Sequence, residues 1–130
     1  MRGRRGSAMV ESALVMLVYA VLMAGIMELG VVGFAVNSVS FAAHRAARYA
    51  SVRGSASGSP ATAAQITTSA QGYAAPLSSA ALTVAVSWSP NNNPGSTVQV
   101  KVSYNFTPTF LPVDAKTLTI QTTAREMIAQ

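Results

Sequence analysis

The sequence predicts an α+β protein in which a long N-terminal transmembrane and stalk helix packs on a small antiparallel β-sheet. Two patterns predict this fold: a nearly unbroken apolar stretch over residues 8–43, and alternation of apolar and polar residues in the last third of the chain. The composition agrees, because 50% of the 130 residues are hydrophobic and only 10% are charged. A typical soluble domain has about 25% charged residues.

The apolar stretch is long enough to cross a bilayer and to continue beyond it. Residues 8–27 carry a single charge, Glu11, and about 20 apolar residues match a hydrocarbon core of about 30 Å. As one helix, residues 8–43 would be about 54 Å long, and no proline interrupts the chain before Pro60. We therefore expect a helix over 7–53 that starts in the membrane and projects out of it as a stalk.

The composition changes abruptly after Arg53. Residues 54–61 are rich in glycine and serine and include Pro60, which is typical of a linker. Pro60 also suits the first turn of a helix, and alanines follow it, so a short helix is predicted within 60–75. We assign residues 54–81 to this linker and short helix.

The final segment, residues 82–130, is predicted to form the small β domain. Residues 82–88 alternate as a half-buried strand does, and residues 98–106 form the clearest strand of the chain. The turn formers at 90–95 join these strands into a hairpin. Leu118, Ile120 and Thr122, spaced by two, predict a third strand that runs into a polar tail.

A sheet of this kind has one apolar face that needs a cover, and the stalk helix is the expected cover. Small or branched side chains recur on one helical face of the stalk, at the positions Val39, Ala43, Ala46 and Ala50. Such a face lets a sheet approach closely. An alternative interpretation, in which the alanines only favour helix formation, fits this pattern equally well.

Composition also excludes several classes of function. The net charge is +5, but no basic face with interleaved aromatic residues is present, so we expect no nucleic-acid partner. The chain has no cysteine and one histidine, His44, so we expect no disulfide, no metal site and no cofactor. Two of the four carboxylates lie in the apolar stretch, which leaves no plausible acid/base pair, so we do not expect an enzyme.

The N terminus begins like a secretory signal peptide, because Arg2, Arg4 and Arg5 precede the apolar run. Two details do not fit: the run is too long, and Glu11 lies near its start. A charged residue at the centre of a span costs about 2.5–3.5 kcal/mol on insertion scales, and less near the membrane edge. Glu11 is therefore expected to have a functional partner.

The residues before Glu11 indicate that partner. Cleavage after Gly6 would create an α-amino group on Ser7 and make Glu11 the fifth residue of the mature chain. A glycine, a cut and a glutamate at this spacing, followed by an apolar helix, resemble type IV pilin-like proteins. The resemblance implies that a prepilin-type peptidase removes the leader 1–6. It also implies that Glu11 pairs with the N-terminal amine of a neighbouring subunit.

Three blocks narrow the resemblance. They are Gly6 followed by residues 10–15 (VESALV), then residues 25–30 (GIMELG), then residues 42–50 (AAHRAARYA). Together they resemble the TadE-like family, which are minor pilin-like proteins (pseudopilins) of Tad/Flp tight-adherence pili. Ser12 departs from the pattern, because the family usually has an aromatic residue there.

The resemblance also implies a location and a set of partners. The protein would cross the inner (cytoplasmic) membrane once, with its C-terminal domain outside the cytoplasm, and could enter the pilus. Its partners would be the lipid bilayer, the prepilin peptidase, sister pseudopilins, the major pilin and the inner-membrane assembly platform. Its role would be to aid pilus assembly, surface adhesion and biofilm formation.

Three further charged residues within these blocks are candidates for intersubunit contact: Glu28, Arg45 and Arg48. Glu28 follows Glu11 by 17 residues, about 25 Å along a helix, which places it near the outer membrane interface. Two interpretations stay open for Glu28, an interfacial carboxylate without a partner and an intersubunit pair.

Two other functions compete with the pseudopilin interpretation. The first is an uncleaved single-pass membrane protein whose small β domain binds a ligand at the cell envelope; it requires a retained N terminus and no dependence on Glu11. The second is an ordinary secreted protein or a small hydrolase, which the shortage of catalytic side chains disfavours.

Overall fold

The computed structural model describes residues 3–75, 77–110 and 116–129, with side chains from Gly6 onward. A long helix and a short helix pack with a three-stranded antiparallel sheet, which confirms the α+β fold predicted from the sequence. The elements are α1 (Gly3–Ser51), α2 (Ala63–Tyr73), a short 3₁₀ turn (Ser79–Ala81), β1 (Leu82–Ser89), β2 (Thr97–Phe106) and β3 (Leu118–Met127).

Helix α1 runs without interruption through both the apolar stretch and the stalk. It begins at Gly3, so the helix continues across the bond between Gly6 and Ser7 where cleavage is predicted. At its end, the amide of Arg53 turns back to the carbonyl of Ala50 at 3.1 Å in a tighter turn. Ser51 is the last residue of α1, and its carbonyl accepts a hydrogen bond from the amide of Ala129 at 2.9 Å. The C-terminal end of α1 is therefore bonded to the C-terminal segment of the chain.

The sheet has the order β1-β2-β3, and its inward-facing positions follow the predicted alternation. Val100 at the centre of β2 lies opposite Val86 of β1 and Ala124 of β3. Strand β3 is longer than the sequence predicted, because the expected polar tail continues the pairing to Met127. Ala124 and then Ile128, both 1% exposed, extend the inward-facing series that began at Ile120.

The stalk half of α1 covers the inner face of the sheet, as the sequence predicted. Val39, Ala43 and Ala46 are fully buried and Ala50 is 1% exposed, and α1 packs directly on β2 and β3. One hydrogen bond crosses this apolar layer, between the hydroxyl groups of Ser40 and Thr122 at 3.1 Å. The small side chains therefore lie in the contact between helix and sheet, as the packing interpretation required.

The segment between α1 and the sheet forms a helix that packs into the core. Helix α2 begins at Ala63 rather than at Pro60, because Thr62 and Gln65 form a reciprocal capping box in which each side chain accepts a backbone amide. Ile66, on the inner face of α2, is fully buried in the shared core. Helix α2 packs on α1 and reaches β1, so it covers the part of the sheet that α1 leaves open.

Candidate functional site

The N-terminal half of α1 has no neighbour among the described residues. Each residue from Gly6 to Met23 is exposed, and only Ala24 and Gly25 are partly covered before Glu28. The helix is long enough and apolar enough to cross a membrane, and nearly all of its apolar stretch is left uncovered by the rest of the described chain. An apolar surface of this kind requires a cover from outside the chain, either lipid or other helices.

The predicted processing site lies at the start of this exposed surface. Gly6, Ser7 and Glu11 are all exposed, and Glu11 follows Ser7 by one helical turn on the same side of the helix. The rise between them is about 6 Å. Ser12, beside Glu11, donates its hydroxyl hydrogen bond to the carbonyl of Ala8 at 2.8 Å. The hydroxyl of Ser12 is thus satisfied inside the helix, as a hydrocarbon environment requires.

Glu28 lies where the exposed part of α1 meets the packed part, and its carboxylate has a partner in the same chain. The residue is 5% exposed. The amide of Phe110 donates to Oε2 of Glu28 at 2.8 Å, and the amide of Thr109 donates to Oε1 at 3.2 Å and to Oε2 at 3.3 Å. Two successive peptide N–H groups of the loop after β2 therefore hold one carboxylate of α1. We call this arrangement the Glu28 clamp.

The clamp satisfies two kinds of polar group at once, the buried carboxylate and the loop amides. A carboxylate removed from water is costly unless it accepts hydrogen bonds, and a loop amide that is not paired in a sheet needs an acceptor. Glu28 and the amides of Thr109 and Phe110 satisfy one another. The sequence predicts Glu28 near a membrane boundary but indicates no intrachain partner for it. The bond joins residues 82 positions apart, and nothing in the spacing or the residue types of that loop indicates the contact.

The two arginine candidates lie farther along the stalk. Both are exposed, and the guanidinium of Arg45 lies 5.1 Å from the centroid of the Phe41 ring, which itself meets Tyr73 of α2 edge to face at 5.9 Å. Arg48 follows Glu28 by 20 residues, about 30 Å along the helix. The structure therefore does not bring Glu28 and the arginines into one site, and their predicted intersubunit contacts stay predictions.

Within residues 3–75, 77–110 and 116–129, no cluster of histidine or carboxylate side chains could hold a metal ion. Arg2 and Asp114 lie outside the described residues.

A family model described as TadE-like protein matches residues 6–48. Through this segment, about a third of the chain, the protein is similar to the TadE-like family. The match covers most of α1 and includes all six candidate site residues, from Gly6 to Arg48, but none of the sheet. The match indicates a Tad pilus-associated protein with an N-terminal membrane-type helix, and the matched family is one of pilus components. No curated protein and no solved structure is significantly similar to the chain.

Proposed function

We propose that this TadE-like protein is a minor pilin-like (pseudopilin) subunit of a Tad-type pilus and secretion machine. The observation that carries the proposal is the position of Glu11: a carboxylate on the exposed surface of an apolar helix, five residues after Gly6, in the segment that matches the family. A carboxylate in this environment requires a cationic partner, and the amine released by cleavage after Gly6 would be one.

The assembly step follows from this chemistry. A prepilin-type peptidase cuts between Gly6 and Ser7 and removes the arginine-rich leader, which leaves the ammonium group of Ser7 one turn before Glu11. The pairing that the resemblance implies is between subunits and not within one chain. Pairing with the amine of a neighbouring subunit instead offsets the desolvation of both charges. It also fixes the axial register of the two helices.

The remaining architecture gives each part a role. The apolar half of α1 holds the subunit in the inner membrane until assembly, and the α2 and sheet domain lies outside the cytoplasm. There the subunit works with sister pseudopilins, the major pilin and the inner-membrane assembly platform, and thereby supports pilus assembly, surface adhesion and biofilm formation. It has no catalytic activity and no nucleic-acid partner, and acts as a substrate of the peptidase.

Two variants in the native host separate processing from assembly. Gly6→Leu blocks the glycine-specific cut, so the chain keeps its leader and pilus formation falls. Glu11→Gln keeps the cut but removes the charge, so a processed chain accumulates in the membrane and pilus formation again falls. The matched control is Glu126→Gln, which removes a carboxylate from β3 and leaves both steps intact.

If Gly6→Leu retains the leader while pili form normally, the pseudopilin assignment is wrong. Normal pilus formation by the Glu11→Gln variant would show that assembly does not need Glu11 to pair with an N-terminal amine. Both results together would favour an uncleaved single-pass membrane protein whose β domain binds a ligand at the cell envelope.

A further inference from the structure

We propose that the loop after β2, residues 107–110, rests on the outer surface of the membrane with the Phe110 side chain inserted into the bilayer interface, and that the Glu28 clamp holds it there. The partner of this surface is the lipid bilayer itself. The inference rests on the proposed membrane anchoring of α1 and extends it from the helix to the globular domain.

The loop lies at the level of the helix where the membrane span ends. Residues 8–27 cover about 30 Å at 1.5 Å per residue, which is the thickness of the hydrocarbon core. Glu28 follows directly, and the Phe110 amide lies 2.8 Å from its Oε2 atom. The backbone of Phe110 is therefore within about one helical turn of the level at which the span ends.

The loop presents an apolar, uncharged surface at this level. The Phe110 side chain is 50% exposed although the chain has an apolar core, and Leu29 beside the clamp is 73% exposed. The loop sequence, Thr-Pro-Thr-Phe, has no charged side chain. Ala24 and Gly25, one turn below Glu28 on the same face of α1, are partly covered. The apolar surface of the span thus continues onto the globular domain, and aromatic side chains are favoured at such interfaces.

The backbone amides at the end of this loop have an acceptor within the chain. A loop that lies at the edge of the hydrocarbon cannot leave its peptide N–H groups without acceptors, because water is scarce there. The amides of Thr109 and Phe110 both donate to Glu28, which fits this depth. The same bonds shield the carboxylate from lipid. Glu28 is thus a positioning residue that keeps Phe110 in the interface and fixes the height of the domain above the bilayer.

Depth measurement by electron paramagnetic resonance tests the inference on the full chain. The chain has no cysteine, so a single cysteine directs a spin label to one place without other changes. The label is placed at Thr109, which keeps Phe110 and both backbone bonds, in vesicles of phosphatidylethanolamine and phosphatidylglycerol. Collision with oxygen, which concentrates in lipid, is compared with collision with a water-soluble nickel chelate. Reference labels are placed at Leu17, in the middle of the span, and at Tyr73, on the exposed side of α2.

We expect the label at Thr109 to be intermediate in depth, between the deep Leu17 label and the water-exposed Tyr73 label. In this Thr109-labelled chain, Phe110→Ser and Glu28→Ala each raise its nickel accessibility toward that of Tyr73. Met127→Ser, which replaces an exposed apolar side chain at the far end of β3, leaves it unchanged.

Two results overturn the inference while the span stands, provided that the Leu17 label remains oxygen-accessible. In the first, the Thr109 label is as nickel-accessible as the Tyr73 label. In the second, it is protected from both reagents, which indicates burial against a second protein copy. A nickel-accessible Leu17 label would overturn the membrane span and the inference with it.

Discussion

The contact between α1 and the sheet depends on the absence of side-chain bulk, and Ala46→Leu tests this directly. Ala46 is fully buried among other core residues, so the added carbons have no space without movement of the helix or of the sheet. Overpacking a well-packed core costs about 1–3 kcal/mol. For a domain of about 80 residues, each kcal/mol shifts the melting temperature by about 4–8 °C. We therefore expect a decrease of about 4–24 °C.

The assay uses Trp88, the single tryptophan of the chain. It lies on β1 and packs against the core, so its fluorescence reports unfolding of the domain while α1 stays in a detergent micelle. The control is Ala63→Leu at the exposed start of α2, for which we expect a change within about 0.5 kcal/mol. If the Ala46→Leu variant has the same melting temperature as this control, the small side chains do not set the distance between helix and sheet.

Four other substitutions test local features. Glu28→Ala leaves the two clamped loop amides without their acceptor, which costs about 2–4 kcal/mol, and amide hydrogen exchange should become faster at those two positions while β2 stays protected. Thr62→Ala removes the capping box of α2 and should destabilise the domain by about 1 kcal/mol in urea unfolding; an unchanged midpoint would contradict the role of the cap. Gly95 has a φ of +84°, so Gly95→Ala should cost about 1–2 kcal/mol. By contrast Gly72→Ala, at an open position inside α2, should stabilise the domain by about 0.5–1 kcal/mol, and equal effects of the two glycine changes would refute the argument.

The parts of the fold that depend on local periodicity could be predicted from the sequence. The unbroken apolar run identified α1, and strict alternation identified the strands with the correct inner face. The small side chains on one helical face were consistent with a cover for the sheet but equally with helix formation alone, and the burial of Val39, Ala43, Ala46 and Ala50 decides for the cover. The start of α2 was also within reach, since a threonine followed three residues later by a glutamine is a capping-box pattern.

The parts that depend on contacts between distant residues could not be predicted. The clamp joins Glu28 to the amide of Phe110, and backbone amides carry no sequence signature. The extension of β3 past Thr122 depends on pairing with β2, and a polar segment gains strand structure from its neighbour more than from its own side chains. For the processing site, the spacing of Gly6 and Glu11 gave the hypothesis, and the family match at residues 6–48 supports the family but does not test the cut.

The most direct test of the pseudopilin assignment is the N-terminal sequence and intact mass of the protein purified from its native host. We expect a chain that begins at Ser7, with the α-amino group one helical turn before Glu11. A chain that still carries Arg2 to Gly6 would contradict the assignment, since Glu11 would then lack the amine that explains its place in an apolar helix.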